Sequence, residues 1–100
     1  MKHVAYHRLA ASELINSASF YESRVPRLGD VFISAVEKAR DEFAANPKLG
    51  KPGKNKTRSW KIKRLPFRIV YLEQADRLLV VAVAHLNRRP DYWSRRLNVD

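Results

Sequence analysis

Cysteine is absent from this chain of 100 residues, and acidic residues are half as numerous as basic ones, 10 against 20. Without cysteine the fold has no disulfide framework and no thiolate zinc site, which fits a reducing compartment such as the cytoplasm. No apolar run approaches the roughly 20 residues needed to cross a bilayer. Residues 1–8 also lack the apolar core of a signal peptide. The sequence therefore favours a cytoplasmic protein with no membrane partner.

Glycine occurs at three positions, and none belongs to the Gly-rich loop that cradles phosphates in many nucleotide-binding proteins. No spacing of His, Asp or Glu matches a metal site, and no Ser-His-Asp arrangement is present. We therefore expect neither a metal ion nor an organic cofactor.

What the chain has in excess is positive charge, and this charge is concentrated in the second half. Residues 1–50 carry seven Lys/Arg and six Asp/Glu, whereas residues 51–100 carry thirteen and four. Self-repulsion on that scale opposes a compact state, so a polyanionic partner is the natural interpretation. The alternative is a solvated basic surface without a specific partner.

The length predicts one domain spanning residues 1–100. Apolar residues at three- and four-residue steps predict a helix from Leu9 to about Arg24, which Pro26 ends. A second helix follows after a short link, so the two form an antiparallel hairpin. An antiparallel three-stranded meander beside this hairpin makes the predicted class α+β. The full order is a strand at 2–7, the two helices (the second from Leu28 or Gly29 to Ala45), a loop at 50–56, strands at Arg58–Arg64, Phe67–Glu73 and Leu78–His85, and a short helix from Pro90 to Leu97.

Strand pairing predicts that basic side chains gather on one face of the meander. A turn at residues 64–67 places Lys63 opposite Arg68, and a turn at 74–77 places Arg68 opposite Val83. The residues expected to share this face are Lys61, Lys63, Arg68 and His85. The other face is the expected seat of the helices and carries Trp60, Ile62, Ile69, Tyr71, Val80 and Ala82. The basic face also contains Val70, Leu72, Leu79 and Val81, so its far end needs a cover.

These residue types suit metal-independent cleavage of RNA. That reaction needs a base for the 2′-hydroxyl, cations for the phosphorane and an acid for the leaving oxygen. Mutual repulsion between Lys61, Lys63 and Arg68 favours a lysine of lowered pKa, and guanidinium forks match phosphate oxygens. The candidate catalytic residues are Lys61, Lys63, Arg68, His85, Arg88 and Tyr92, and the candidate nucleic-acid-binding residues are Lys54, Lys56, Arg58, Arg64 and Arg89.

Each of these residues also has a structural interpretation. His85 suits a hydrogen-bonded histidine at a strand end as well as it suits catalysis. Tyr92 and Trp93 could serve to pack the last helix onto the sheet. The basic segment 51–64 could be a solvated loop with an edge strand that charge protects from aggregation. Arg95 and Arg96 suit the C-terminus of a helix, and the helix acids, among them Glu13, Glu22 and Glu37, look like helix surface.

Several segments in fixed order resemble the RelE/ParE superfamily of bacterial type II toxin–antitoxin toxins. The resemblance covers nearly the whole chain. The segments are Asn-Pro-Lys-Leu-Gly at 46–50, Trp-Lys-Ile-Lys at 60–63, Pro-Phe-Arg-Ile-Val-Tyr at 66–71, Val-Ala-Val-Ala-His at 81–85 and Arg-Pro-Asp-Tyr-Trp at 89–93.

The resemblance implies a small toxin that a small DNA-binding antitoxin neutralises, with the complex binding operator DNA. RelE-like members cut mRNA on the ribosome without metal, using Lys/Arg residues and often a tyrosine. ParE-like members lack those residues and poison DNA gyrase. Lys61, Lys63 and Arg68 resemble the RelE-like basic set, as do Arg88 or Arg89 and Tyr92.

The target is therefore the open question. We favour a ribosome-dependent endoribonuclease, because suitable basic residues fall on one predicted face. A ParE-like gyrase inhibitor without nuclease activity is the alternative, since the link between Lys63 and Arg68 is short for the RelE-like group. The ending His-x-x-Arg-Arg-Pro-x-Tyr-Trp, from His85 to Trp93, also occurs in many ParE-like members. A third hypothesis is a nucleic-acid-binding module without toxicity.

Overall fold

The computed structural model describes residues 2–98 and confirms the α+β class with its helix hairpin. In chain order the elements are β1 (His3–Tyr6), α1 (Arg8–Arg24), α2 (Leu28–Ala45), β2 (Lys51–Pro52), β3 (Thr57–Lys61), β4 (Phe67–Glu73) and β5 (Arg77–His85), with 3₁₀ turns at Lys54–Lys56 and Ser94–Asn98. Neither helix combines the length and the apolar character that crossing a bilayer requires.

The strands form one mixed sheet in the order β1-β5-β4-β3-β2. The meander β3-β4-β5 is antiparallel, as the sequence predicts. β1 lies beside β5 and runs parallel to it, with His3 opposite Arg77 and Tyr6 opposite Val80. A parallel neighbour requires a long connection, and here both helices and strands β2, β3 and β4 lie between the two strands in the chain. The first strand is thereby joined to the strand that is made last.

The helices begin and end where local chemistry requires it. The His7 side chain accepts a hydrogen bond from the Leu9 amide and so caps the first turn of α1. Val25 is extended, because it precedes proline, and α1 ends at Arg24 as predicted. Arg27 takes a left-handed conformation that reverses the chain into α2.

The main core lies between the helices and one face of the sheet. Its largest members are Phe32 and Phe43 of α2 and Tyr71 of β4, all at most 1% exposed. Phe43 stacks on Tyr71 with ring centroids 4.1 Å apart. Of the six residues predicted to seat the helices, Ile62, Ile69, Tyr71 and Val80 are in this core and Trp60 packs against it. Ala82 lies in the other cluster instead.

The opposite face of the sheet is covered by residues 86–98, which we call the covering segment. Trp93, only 6% exposed, packs with Val70, Val81 and Ala84 in a second apolar cluster. Tyr92 and Leu97 border the same cluster. This packing covers the apolar part of this face, as the sequence requires.

The predicted pairing of Arg68 with Val83 is wrong by one residue. Val70 lies opposite Ala82 but Tyr71 lies opposite Val80, so Val81 is an additional residue in β5. Such a bulge reverses which side chains face which way beyond it. Arg68 therefore pairs with Ala84, and His85 pairs with Phe67 on the helix side. The expectation that His85 shares a face with Arg68 is wrong for this reason.

The predicted end of β3 is also too late. The strand stops at Lys61, which pairs with Arg68 in place of Lys63. Lys63 lies in the turn instead, and Arg64 turns the chain with a φ of 67°.

Two further boundaries differ from the prediction. Lys51–Pro52, predicted to be loop, forms the short strand β2 beside β3. The predicted helix from Pro90 to Leu97 is replaced by turns and the 3₁₀ turn Ser94–Asn98, because Asp91 has a φ of 63° and cannot continue an α-helix.

Gly50 is expected to tolerate no side chain, because its backbone lies against the Tyr71 hydroxyl. The Gly50 amide donates to that oxygen at 2.9 Å, and a Cβ would lie 2.5 Å from it. Gly50→Ala is expected to lower the free energy of unfolding by about 1–3 kcal/mol through overpacking. Urea unfolding measures this, with Gly53→Ala as the control, since its Cβ would approach nothing closer than 3.3 Å. Equal stability of the two variants would contradict the assigned contact.

Candidate functional site

A cavity of about 240 Å³ opens where β3, β4 and the covering segment meet. β4 contributes Arg68 and Val70 to one wall, and Arg88 and Arg89 follow β5 on the other. The Thr57 and Ser59 side chains of β3 border it as well. We call it the guanidinium cavity, because Arg58, Arg68, Arg88 and Arg89 all line it.

The positive charge of this cavity is largely unneutralised. Asp91 is the one carboxylate residue in its described lining, and its side chain pairs with Lys54 at 3.1 Å. The Arg58 guanidinium donates to the Gly50 carbonyl at 2.8 Å. Within residues 2–98, Arg68, Arg88 and Arg89 form no ion pair. Three exposed guanidinium groups around one concavity suit a phosphate or carboxylate ligand.

Arg88 is held over the ring of Tyr92, with its guanidinium carbon 3.8 Å from the ring centroid. A cation over an aromatic face is attracted to the ring electrons, so this contact restricts where the charge points. Tyr92 thus serves as a platform for Arg88 through its ring, whatever its hydroxyl does.

The Tyr92 hydroxyl is engaged by Glu13 of α1, to which it donates at 2.7 Å. Burial and the carboxylate acceptor both raise the pKa of this hydroxyl far above its ordinary value. The phenolate that a general base would require is therefore strongly disfavoured at neutral pH. Tyr92 lines the cavity, but its hydroxyl proton is donated to a partner within the protein.

Glu13 is the centre of a network that the sequence analysis missed. Arg96 binds both of its oxygens at 2.9 Å, and the Val83 amide donates to one of them at 3.0 Å. Burial acts to raise the pKa of Glu13, but the donors Arg96, Tyr92 and Val83 together outweigh it and lower that pKa. Arg96 also donates to the Val81 carbonyl at the bulge. We call Glu13, Tyr92 and Arg96 the clasp, since they fasten the covering segment to α1.

A weak sequence signal for the clasp exists. Glu13 lies three residues after the fully buried Ala10 and one residue before Leu14, which packs against the core. An acid at that position on a helix faces inward enough to need a partner. Nothing in the local sequence identifies Arg96 as that partner.

His85 lines one end of the guanidinium cavity, but its ring packs on the helix side of the sheet. Its ring lies edge-on to Phe67 at 5.1 Å, and its Nδ1 accepts a hydrogen bond from the Asn87 amide at 3.0 Å. An accepting Nδ1 places the proton of the neutral ring on Nε2. In that tautomer His85 offers a donor rather than a base.

The two predicted catalytic lysines lie apart from this cavity. Lys61 donates to the carbonyls of Ile62 and Leu65, both at 2.7 Å, and so fixes the turn after β3. Lys61, Lys63 and Arg64 border a different cavity, against Lys38 and Glu42 of α2. The structure thus divides the predicted basic set into a lysine-rich part beside α2 and an arginine-rich part beside the covering segment.

The predicted nucleic-acid-binding residues divide in a similar way. Arg58 and Arg89 line the guanidinium cavity, and Lys54 lies at its rim on Asp91. Lys56 is exposed in the 3₁₀ turn before β3, and Arg64 is exposed in the turn after it. Among the residues described here no group of three His, Asp or Glu side chains is placed to hold a metal ion.

A family model and a solved structure that resemble this chain both belong to the same kind of toxin–antitoxin system. Residues 4–90 match a family model described as the ParE toxin of a type II toxin–antitoxin system, parDE. A solved structure, the chromosomal ParDE toxin–antitoxin system from P. aeruginosa, superposes with a TM-score of 0.75 at 17% identity, covering 85% of this chain and 96% of that one. No curated protein matches the chain in sequence.

Proposed function

This chain belongs to the ParE toxin family of type II toxin–antitoxin systems, and from that premise we propose that it arrests growth by binding DNA gyrase rather than by cutting mRNA. The sequence alone favours mRNA cleavage instead. A toxin acting on gyrase works in the cytoplasm and is neutralised by a small DNA-binding antitoxin, whose complex with it binds operator DNA.

The observation that carries the proposal is that, among the described residues lining the guanidinium cavity, the groups that could act as a general base are already engaged by partners within the protein, including Asp91 with Lys54. The Tyr92 hydroxyl donates to Glu13, the Nδ1 atom of His85 accepts from the Asn87 amide, and Lys63 lies beside α2. Cleavage of RNA without a metal requires both a base and an acid. The described residues of this cavity instead suit the binding of an anion by fixed guanidinium groups.

Ribosome-dependent mRNA cleavage remains the second candidate, on one specific observation. Arg68, Arg88 and Arg89 line the same cavity as His85, and this combination could hold a scissile phosphate. Under this hypothesis Tyr92 or His85 would have to release its present hydrogen bond on the ribosome.

The two candidates are distinguished by inducing the chain in a bacterium and following DNA and protein synthesis. We expect DNA synthesis to stop first and the SOS response to rise. With purified proteins we expect gyrase supercoiling to fall or cleaved DNA to accumulate. Toeprinting of toxin-arrested translation should show no cut codons. Cut codons together with unaffected gyrase would overturn the proposal.

Tyr92→Phe separates the candidates further. It keeps the ring under Arg88 and removes only the hydroxyl, so a binding toxin should retain growth arrest within about threefold once the protein folds. A nuclease that uses Tyr92 for proton transfer should lose about 10²–10⁴ in rate. The measurement is the inducer concentration that halves growth, with circular dichroism as the folding control.

A further inference from the structure

A second cavity, of about 370 Å³, lies on the helix side of the guanidinium cavity. Its walls are the side of α1 and the ends of β4 and β5, and we call it the apolar cavity. Phe20, Tyr21, Phe67 and Val83 supply its apolar lining, and Glu13, Asn16, Ser17, His85 and Arg88 complete it. His85 and Arg88 line both cavities, so the two are adjacent.

The apolar cavity has an exposed hydrophobic rim. Phe20, which lines this cavity, is 53% exposed. Leu86 follows the shared His85, lines the guanidinium cavity and is 40% exposed. A single exposed apolar residue is ordinary, but here the exposed Phe20 ring borders a concave apolar surface, which is typical of a binding site.

Positive charge flanks this apolar surface. The Arg24 guanidinium lies 4.8 Å from the Phe20 ring centroid, and Arg88 closes the other end. Glu13 is the only acid in the lining that the structure describes, and Arg96 already neutralises it. A ligand here would therefore meet apolar walls with cations on both sides.

The geometry of the rings favours a peptide over a stacked nucleobase. Tyr21 stacks on Phe32 at 5.3 Å, and Phe67 meets His85 edge to face. Phe20 has Arg24 over its ring and Tyr21 against it. Binding of single-stranded nucleic acid relies on open ring faces, and these rings are already engaged with one another. An aliphatic or aromatic side chain requires only apolar walls.

We propose that the two cavities form one docking site for an acidic segment of a partner protein. One large apolar side chain of that segment occupies the apolar cavity, and its carboxylates meet Arg24, Arg88 and the guanidinium cavity beyond. The charge complementarity is the argument for this partner, because cations flank the apolar surface from both ends. The site stands whether the toxin inhibits gyrase or cuts mRNA.

The test measures binding of labelled synthetic peptides to the full chain by fluorescence anisotropy. The set places Leu, Phe or Trp between acidic residues, and matched peptides replace either the acids by Gln or the apolar residue by Ser. We expect the acidic–apolar peptides to bind and each matched peptide to bind at least about tenfold more weakly. Phe20→Ser and Arg88→Ala should each weaken binding by a similar factor. No binding by any acidic–apolar peptide would overturn the proposal.

The control variants are Ile15→Ser and Lys38→Ala, which remove an exposed apolar residue and an exposed cation outside both cavities. They should leave peptide affinity unchanged. Equal effects of Phe20→Ser and Ile15→Ser would also contradict the assigned site. Binding of a single-stranded oligothymidylate that depends on Phe20 would contradict the proposal too, because the occupant would then be a nucleic acid.

Discussion

Glu13→Ala is expected to lower the free energy of unfolding by about 3 kcal/mol, the low end of the range for breaking a buried ion pair. The side chains of Glu13 and Arg96 are only 17% and 11% exposed, so the variant leaves a guanidinium nearly buried without its partner. The Val83 amide loses its acceptor as well. Urea unfolding at neutral pH measures the change. Glu37→Ala, an exposed position on α2, is the control and should change stability by less than about 0.5 kcal/mol.

The pH dependence gives a second readout of the same clasp. The folded protein lowers the pKa of Glu13. The stability that the ionised Glu13 carboxylate supplies is therefore present at any pH above the ordinary glutamate pKa, and it is lost as the pH falls through the lower pKa of the folded state. The difference in free energy of unfolding between wild type and Glu13→Ala should therefore be constant near neutrality and narrow below about pH 4.3. A difference that stays constant down to pH 2 would contradict the role assigned to the ionised carboxylate.

Replacing Arg68, Arg88 and Arg89 together by alanine is expected to abolish growth arrest without unfolding the protein. All three side chains are exposed, so their loss removes little packing. Each charge-assisted hydrogen bond to a ligand contributes about 1.5–3 kcal/mol. Losing three should raise the amount of toxin needed for arrest at least about a hundredfold. Induction at graded inducer concentration measures this, with immunoblotting to equalise protein levels.

The matched control removes the same charge elsewhere. Arg8, Lys38 and Lys48 are exposed and lie outside the guanidinium cavity. Replacing these three residues by alanine gives a variant with the same net charge as the Arg68/Arg88/Arg89 variant. It should arrest growth like the wild type. If both variants lost toxicity equally, overall charge rather than this cavity would carry the function.

Local signals in the sequence sufficed for the helices and for β4. Proline and the apolar stripe fixed the end of α1, and the predicted limits of β4, Phe67–Glu73, coincide with the observed ones. These features depend on neighbours in sequence, which a periodicity argument can read.

Features that depend on distant residues were not predictable in the same way. The bulge at Val81 coincides with Arg96 binding the Val81 carbonyl, a contact that spans 15 residues. Because of this bulge, His85 lies on the opposite side of the sheet from the one predicted. The pairing of β1 with β5 likewise joins residues 74 positions apart and has no local signature.

In the candidate site, too, residue types could be read from the sequence but contacts between distant residues could not. Arginine-rich positions after β5 were recognisable by residue type, and Arg68, Arg88 and Arg89 do line one cavity. Lys63 was misplaced because β3 ends at Lys61, which leaves Lys63 in the turn with Arg64. Glu13 was taken for helix surface, since its partner Arg96 lies 83 residues later.

The order in which these parts leave the ribosome bears on when the toxin becomes dangerous. β1 and both helices emerge first, but β1 finds its neighbour only once Arg77–Val80 has been made, and Glu13 waits longer still for Tyr92 and Arg96. Contacts this distant in sequence close late in folding. A nascent chain that lacks residues 77–96 therefore has neither the completed sheet nor the assembled guanidinium cavity.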